Sequence, residues 1–439
     1  MLFPLRTFHP RRCVLLAIAA AALTANLHAD EVTDWNQIML QAAHTAGNGS
    51  TTASRSAAIV EVSVFDAVNG INCLYEPLHV TGRAPRDASA PAAAIQAAYV
   101  SLVSLYPTQV STFDAARTTS LNALQNTSGS WWEQQMRLRS INDGVAWGQE
   151  VANQILAWRS TDGFTPAPAP FIGGTSVGEW RPTPPAFAPG VAPQFAYMTP
   201  WVIQYPSQFR PAGPPALTSA RYTQDFNETE LMGRLTSTVR TADETAYAQF
   251  WNGATPIYEW NSVALYLGSQ RHMSLLKNAR LFAELNVAIA DATIAMWDAK
   301  YHYVAWRPIT AVTLADTDGN LLTTPDPAWV PLITTPAHPE YPSAHSGQSS
   351  AAATVLAHFF GSSSSFIVAS DGQPGVVRSF SSFSSALDEV ANARVFGGIH
   401  FRFSTQDAQA SGTAVGKYVV ENAFQRQDRR DYDDDDIDE

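Results

Sequence analysis

Apolar residues recur three and four positions apart along most of this chain. The segments AAIVEVSVFDAV (57–68), AAAIQAAYVSLVSLY (92–106) and INDGVAWGQEVANQILAWR (141–159) each gather such residues on one side of a helix, and strict two-residue alternation over a useful length is hard to find. The pattern therefore predicts a mostly α-helical protein. From residue 164 to 217 the helical period breaks into TPAPAPF, WRPTPPAFAPGVAP and FRPAGPPA. That is too much proline for regular helices and too much aromatic content for a flexible linker, so an ordered irregular segment packed on the surface is expected. Helical patterning resumes near Tyr222 and runs to Phe424, after which QRQDRRDYDDDDIDE reads as a frayed, charged, flexible tail. The expected layout is one helical domain over 30–424, with helices over 30–163, the proline-rich segment over 164–217, a second helical part over 218–424, and an acidic tail over 425–439.

The N-terminus changes this picture by adding a compartment. Arg6, Arg11 and Arg12 precede an apolar run from Cys13 to about Ala25, too short to span a bilayer comfortably, and Leu27-His28-Ala29 supplies the small residue a signal peptidase needs. An export signal over 1–29 is expected, with the mature protein periplasmic or extracellular. Arg11-Arg12 has a twin-arginine look, but a plain secretory signal is the favoured reading. Cleavage leaves only Cys73, so no intramolecular disulfide can form, and Cys73 is expected to be a small buried hydrophobe. No later run is apolar and long enough to insert in a membrane. A chain of 439 residues with 46% hydrophobic content can build a full core, and a net charge of −12 without a basic patch argues against nucleic acid as a partner.

Three short stretches carry the candidate chemistry. In DAKYHYVAWRP, Lys300 and Arg307 are seven apart, close to two helical turns, which would put both cations on one helical face until Pro308 stops the helix. Two such cations are usually a solvated pair; Trp297, Tyr301, Tyr303 and Trp306 leave this helix little polar surface to spare. In HPEYPSAHS, Pro342 and Ser343 suit a helix start whose free N–H groups can receive an anion, with His338 and His345 on either side. Its ordinary reading is a capped helix with a spare histidine. In ARVFGGIHF, Arg394 and His400 are six apart, and Gly397-Gly398 signals a helix break that could turn His400 back toward an anion held by Arg394. Alone that motif is weak. Together the three supply cations, helix N–H groups and two imidazoles, the equipment for holding a tetrahedral oxyanion and moving protons on it.

KYHYVAWRP (300–308), PSAH (342–345) and RVFGGIH (394–400) resemble the signature Lys-x6-Arg-Pro, Pro-Ser-Gly-His and Ser-Arg-x5-His shared by vanadium-dependent haloperoxidases and type 2 phosphatidic acid phosphatases. The resemblance implies an all-α fold of helical bundles. It also implies that Lys300, Arg307 and Arg394 hold the oxygens of vanadate or phosphate, together with Ser343 and the backbone N–H of Ala344. His400 would supply the axial nitrogen, bonded to vanadium or phosphorylated, and His345 would be the acid/base. Ala344 stands where the family has glycine and Ala393 where it has serine. Ser404 stands where many relatives have an aspartate that orients the axial histidine, and spacing does not assign that task to Asp407.

Length, twelve tryptophans, the export signal and Trp297 three residues before Lys300 resemble the bacterial haloperoxidases. That resemblance implies vanadate as cofactor, hydrogen peroxide and halide as substrates, and a small organic acceptor as a further partner, with Lys300 polarising the bound peroxide. His338 and Trp297 would stand near the halide. A histidine seven residues before the acid/base histidine is similar to bromide oxidisers, where chloride oxidisers have phenylalanine. The His338 imidazole is expected to change charge within the working pH range. The alternative is a soluble exported phosphatase acting through a phosphohistidine at His400. A non-catalytic helical scaffold and a zinc site of His302, His338, His345 and His400 are weaker readings, because the first needs no histidine pair and the second has no familiar ligand spacing.

Overall fold

The computed structural model describes residues 30–427 apart from 127, 254 and 371. The expected signal over 1–29 and residues 428–439 of the expected tail lie outside the described residues. Within them the chain forms thirteen α-helices: α1 (Glu31–Thr45), α2 (Ser50–Asn72), α3 (Ala90–Leu105), α4 (Val110–Gln125), α5 (Trp131–Arg159), α6 (Ala220–Gly233), α7 (Ala242–Gly253), α8 (Pro256–Arg271), α9 (Leu275–Tyr303), α10 (Pro308–Thr313), α11 (Ala344–Phe360), α12 (Phe383–Phe396) and α13 (Arg402–Asn422). A single antiparallel hairpin, β1 (Phe366–Ala369) with β2 (Val377–Phe380), pairs Phe366 with Phe380. The fold is all-α in character, as the three- and four-residue periodicity predicts. No described helix is long and apolar enough to cross a membrane.

Local chemistry starts these helices where the sequence allows. Asp30 and Thr33 form a reciprocal capping box on α1, and Ser130 and Glu133 do the same on α5. The first tertiary layer is α2 against α3 and α9, with α3 against α5; the second is α11 against α13 and α9. Helix α9 is the shared axle. Nearly every residue from Leu276 to Lys300 is buried, so it is enclosed on all sides, the expected state of a helix without a consistent polar face. Its interior polar side chains are answered by neighbours: Asn286 bonds Asn261, and Thr293 accepts from Gln348. Cys73 is half-buried at the left-handed C-cap of α2, not a core residue, because the helix ends there.

The proline-rich segment is irregular and is tied to α9 by charge. Asp291 accepts the backbone N–H groups of Trp201, Val202 and Ile203 at 2.7, 2.8 and 3.0 Å, and Asp298 takes a two-pronged contact from Arg210 at 2.6 and 2.7 Å. Prolines have no N–H to donate, so a few non-proline residues and one arginine do the anchoring. At the other end, Glu76 donates its N–H to the Gln425 carbonyl and Gln427 to that of Leu74. Ordered chain thus continues past residue 424, three residues into the expected tail.

Helices α11 and α13 approach with backbone against backbone. A Cβ added at Gly412 would collide with the carbonyl of Gly347, and one added at Gly416 would press on Ala351. Gly412→Ala gains up to about 1 kcal/mol in helix propensity. It also forces apart two backbones that no rotamer change can relieve, at a cost of about 1–3 kcal/mol. The expected outcome is a lower midpoint of thermal unfolding, read by circular dichroism; an unchanged or raised midpoint would show that the two helices can separate freely.

Candidate active site

Lys300 sits in the last turn of α9 with no exposed surface. The helix ends three residues later, where Val304 adopts a left-handed conformation at φ 50°. Arg307 therefore does not share a helical face with Lys300, contrary to the seven-residue spacing argument. Arg307 is extended (φ −79°, ψ 156°), as a residue before proline should be, and Pro308 opens α10 instead of closing α9. The two cations meet because the chain turns between them. The Lys300 ammonium donates to the carbonyls of Pro339 and Glu340, both at 3.0 Å. The Arg307 guanidinium donates to the carbonyls of His338 (2.9 Å) and Ile399 (2.8 Å), and lies 3.2 Å from His400 Nε2 and 3.0 Å from His338 Nδ1.

Ser343 is the N-cap of α11, as its sequence context predicts. Its backbone N–H donates to the Ser404 carbonyl at 3.2 Å, and its Oγ accepts from the Ser346 hydroxyl at 3.1 Å. Ala344 and His345 form the first turn, Ala344 buried and His345 half-buried. The glycine break also appears where expected. Helix α12 stops at Phe396, Gly398 takes φ +77°, and the N–H groups of Ile399 and His400 fold back onto the Arg394 carbonyl, both at 3.3 Å. Arg394 is buried; it donates to the Trp251 carbonyl at 3.2 Å, while its Nε has no hydrogen-bond partner in the protein.

The group that orients His400 is one the motif comparison missed. Glu340 Oε1 lies 2.8 Å from His400 Nδ1 and accepts the Phe401 N–H at 3.1 Å, with the Ser404 hydroxyl 3.3 Å from Nδ1. A carboxylate at Nδ1 favours the proton there and leaves the Nε2 lone pair facing the cations. Asp407 is occupied elsewhere, by the Tyr341 hydroxyl and Arg221. A sequence signal for Glu340 existed: it is the single acidic residue between positions 327 and 370, held between two prolines in HPEYP. What the sequence does not show is that this turn lies beside His400.

Trp297 donates its indole N–H to the Val191 carbonyl at 3.2 Å and lies 5.2 Å from the His338 ring, so a residue of the proline-rich segment helps fix the aromatic wall. His338 is half-buried and electrostatically coupled to Lys300, Arg307 and His345. The structure thus brings Lys300, Arg307, Arg394, His338 and His400 into one charged neighbourhood, with Ser343 bonded to the chain next to it. His302 is left out. It is exposed against Tyr303, and no group of three or more His, Cys, Asp or Glu suited to a metal ion occurs among the described residues.

Burial and mutual repulsion dominate the electrostatics. Burial, then Arg307, hold the Lys300 ammonium well below its ordinary value, against the pull of Glu340. Burial lowers Arg307 to about 9 and Arg394 to about 10. Burial followed by Arg307, Lys300 and Arg394 pushes His400 well below the usual histidine range, and His338 is lowered by burial, Lys300 and Arg307. The expected titration of His338 near neutral pH is therefore not supported among these cations. Glu340 is raised by burial and drawn back down by Arg307 and Lys300. Three buried basic groups thus face two buried carboxylates, Glu340 acting on Lys300 and Arg307 and Glu259 acting on Arg394, while an arginine Nε is unfilled and an imidazole nitrogen faces them. That donor set fits a tetrahedral oxyanion such as vanadate.

Residues 280–429 match the family described as the VCPO second helical-bundle domain. No curated protein matches the chain. Among solved structures, a bacterial vanadium-dependent iodoperoxidase is similar with a TM-score of 0.76 and 26% identity, covering 91% of this chain and 98% of that one. Two structures of bacterial vanadium-dependent chloroperoxidase share the fold. The apo-type has a TM-score of 0.66 and 18% identity, covering 84% of this chain and 92% of that one; the holo-type has 0.64 and 17%, covering 91% and 93%. The matched bundle spans Lys300, Arg307, Ser343, Arg394 and His400, so residues 280–429 are similar to the VCPO second helical-bundle domain, and the chain as a whole shares the fold of the bacterial vanadium haloperoxidases over nearly the full length of the iodoperoxidase.

Proposed function

We propose that this protein binds vanadate and uses hydrogen peroxide to oxidise halide, bromide in particular, to hypohalous acid. One observation carries the reading: Lys300, Arg307 and Arg394 are buried together beside a histidine whose Nδ1 is held by Glu340. The excess of buried basic groups matches an anion, and His400 Nε2, which meets the Arg307 guanidinium at 3.2 Å, matches a ligand to its central atom. Bound vanadate would supply a Lewis-acidic centre that activates peroxide oxygen toward attack by halide. The likeness to an iodoperoxidase and to chloroperoxidases supports halide oxidation as the reaction class.

The chain's own residues divide the remaining work. Arg307 and Arg394 would hold oxygens with planar forks, Lys300 would add a point charge that polarises bound peroxide, and Ser343 with the Ala344 N–H would complete the cradle at the α11 N-terminus. His400 would ligate vanadium through Nε2, and His345, half-buried at the start of α11, would hold and move the proton. Glu340 acts through His400 as a positioning residue. Trp297 and His338 would form the wall met by halide, and a small organic acceptor would consume the hypohalous acid. The bromide assignment follows from His338 standing seven residues before His345.

The test is oxidation of bromide, iodide and chloride by peroxide, with and without added vanadate, beside hydrolysis of a phosphate ester. Vanadate-dependent oxidation of bromide and iodide is expected. Ester hydrolysis without halide oxidation would overturn the reading in favour of a phosphatase.

Four variants divide the roles. His400→Ala should lose vanadate, whereas His345→Ala should keep it and lose turnover by about 10²–10⁴-fold; vanadium content and initial rate, measured on the same preparations, separate the two, and equal vanadium loss would mean the roles are misassigned. Glu340→Gln keeps the shape but not the charge at Nδ1, so vanadate should bind about 10–100-fold more weakly in an equilibrium titration. Wild-type affinity there would make Glu340 merely structural. His338→Phe should retain vanadate and shift the bromide-to-chloride rate ratio at matched vanadium content; an unchanged ratio would remove His338 from halide selection.

A further inference from the structure

Behind Glu340, on the side of the second and smaller hydrophobic cluster, lies a cavity of about 280 Å³. Its walls are aromatic and apolar, with Tyr303, Phe401 and Phe403 joined by Pro215 and Leu217 from the end of the proline-rich segment. Three further lining residues carry buried polar atoms for which the protein offers no hydrogen-bond partner: the Tyr222 hydroxyl, the Trp306 indole N–H and Glu340 Oε2. All three side chains belong to residues at most 2% exposed. The Tyr222 hydroxyl and Trp306 indole are close enough to influence one another without closing a bond of ordinary geometry, and Glu340 acts electrostatically on Tyr222. The other polar groups nearby are engaged. The Tyr303 hydroxyl donates to the Pro211 carbonyl at 2.6 Å, and the Glu179 carboxylate accepts from the Ser176 N–H at 3.1 Å.

Buried polar atoms left unpartnered are costly, and here one acceptor, one donor and one group of either kind are gathered at a single cavity. The shape of the demand defines the ligand. The Glu340 carboxyl disfavours an anion, its interaction with Lys300 and Arg307 leaves it no surplus charge to hold a cation, and the walls favour a flat apolar body. We propose that this cavity is a second binding site, separate from the cation trio, for a small neutral aromatic molecule carrying a hydroxyl group, of the phenol class. The hydroxyl donates to Glu340 Oε2 and accepts from the Trp306 indole N–H and the Tyr222 hydroxyl, while the ring packs among Phe401, Phe403 and Leu217. The site shares Glu340 with His400, but occupying it does not require halide oxidation.

Phenol titrated calorimetrically into the protein, in the absence of vanadate and peroxide, tests it directly. One saturable site is expected, with phenol bound about tenfold or more tightly than benzene because hydrogen bonds to otherwise unpartnered buried groups add to ring burial. Tyr222→Phe removes only the hydroxyl beside Trp306 and should narrow that ratio severalfold. Leu217→Trp enlarges a half-buried lining side chain into the cavity and should abolish uptake while phosphate binding at the cation trio persists. Absence of saturable phenol binding, as when water alone occupies the cavity, would overturn the proposal. Equal affinity for benzene and phenol would overturn the polar part of it. Undiminished binding in Leu217→Trp, or displacement of phenol by inorganic phosphate, would place the molecule elsewhere and overturn the site. None of these readouts depends on halide oxidation.

Discussion

Three positive charges buried around one histidine form the constraint to which the rest of this structure answers. Taking even one ion out of water costs several kcal/mol unless it is compensated. Here Lys300 and Arg307 are compensated mainly by carbonyls of residues 338–340 and 399, and Glu340 is the one carboxylate bonded to His400. Carbonyl dipoles hold the cations in place without neutralising them. The site is thus left richer in buried donors than in acceptors, and burial, reinforced by Arg307, Lys300 and Arg394, disfavours protonation of His400.

Such a site is stable only inside a rigid frame. Helix α9 supplies it by being buried on every side, and Gly347 and Gly412 let α11 and α13 close to backbone contact, which sets Ser343 and Ser404 within a hydrogen bond of each other. The proline-rich segment is part of the frame as well. Asp291 and Asp298 fasten it to α9, and its Val191 carbonyl receives both the Trp297 indole and the Tyr301 hydroxyl. The segment's irregularity is what lets it follow the contour of the site, since a helix would spend its carbonyls on itself.

Glu340 joins the two sides of the molecule. One oxygen orients His400 in the charged neighbourhood; the other belongs to the aromatic cluster of Tyr222, Trp306 and Phe401. The sharp turn HPEYP places that carboxylate between two environments of opposite character, and a helix N-terminus follows at once. A glutamate from this turn thus meets the need that Ser404, at the position where many relatives carry aspartate, cannot meet alone.

Periodicity, proline and glycine made much of this legible in advance. Three- and four-residue spacing marked the helices, Ser343 marked the start of α11, Gly397-Gly398 marked the reversal that returns His400 toward Arg394, and the motif spacing named the charged residues. These are local properties, determined by backbone sterics and capping within a few residues. Local reasoning failed where the chain left its own neighbourhood. It extended α9 through Arg307, because a left-handed Val304 is not written in the residue type. It left His400 without an orienting partner, because the pairing with Glu340 spans sixty positions and depends on how the 338–343 turn packs against the α12–α13 link. It could not foresee the cavity behind Glu340, whose walls come from residues scattered between 177 and 403. Helix type and motif chemistry are set by neighbours in sequence; the countercharge, the tautomer and the second cavity are set by neighbours in space, and only the packed structure decides who those are.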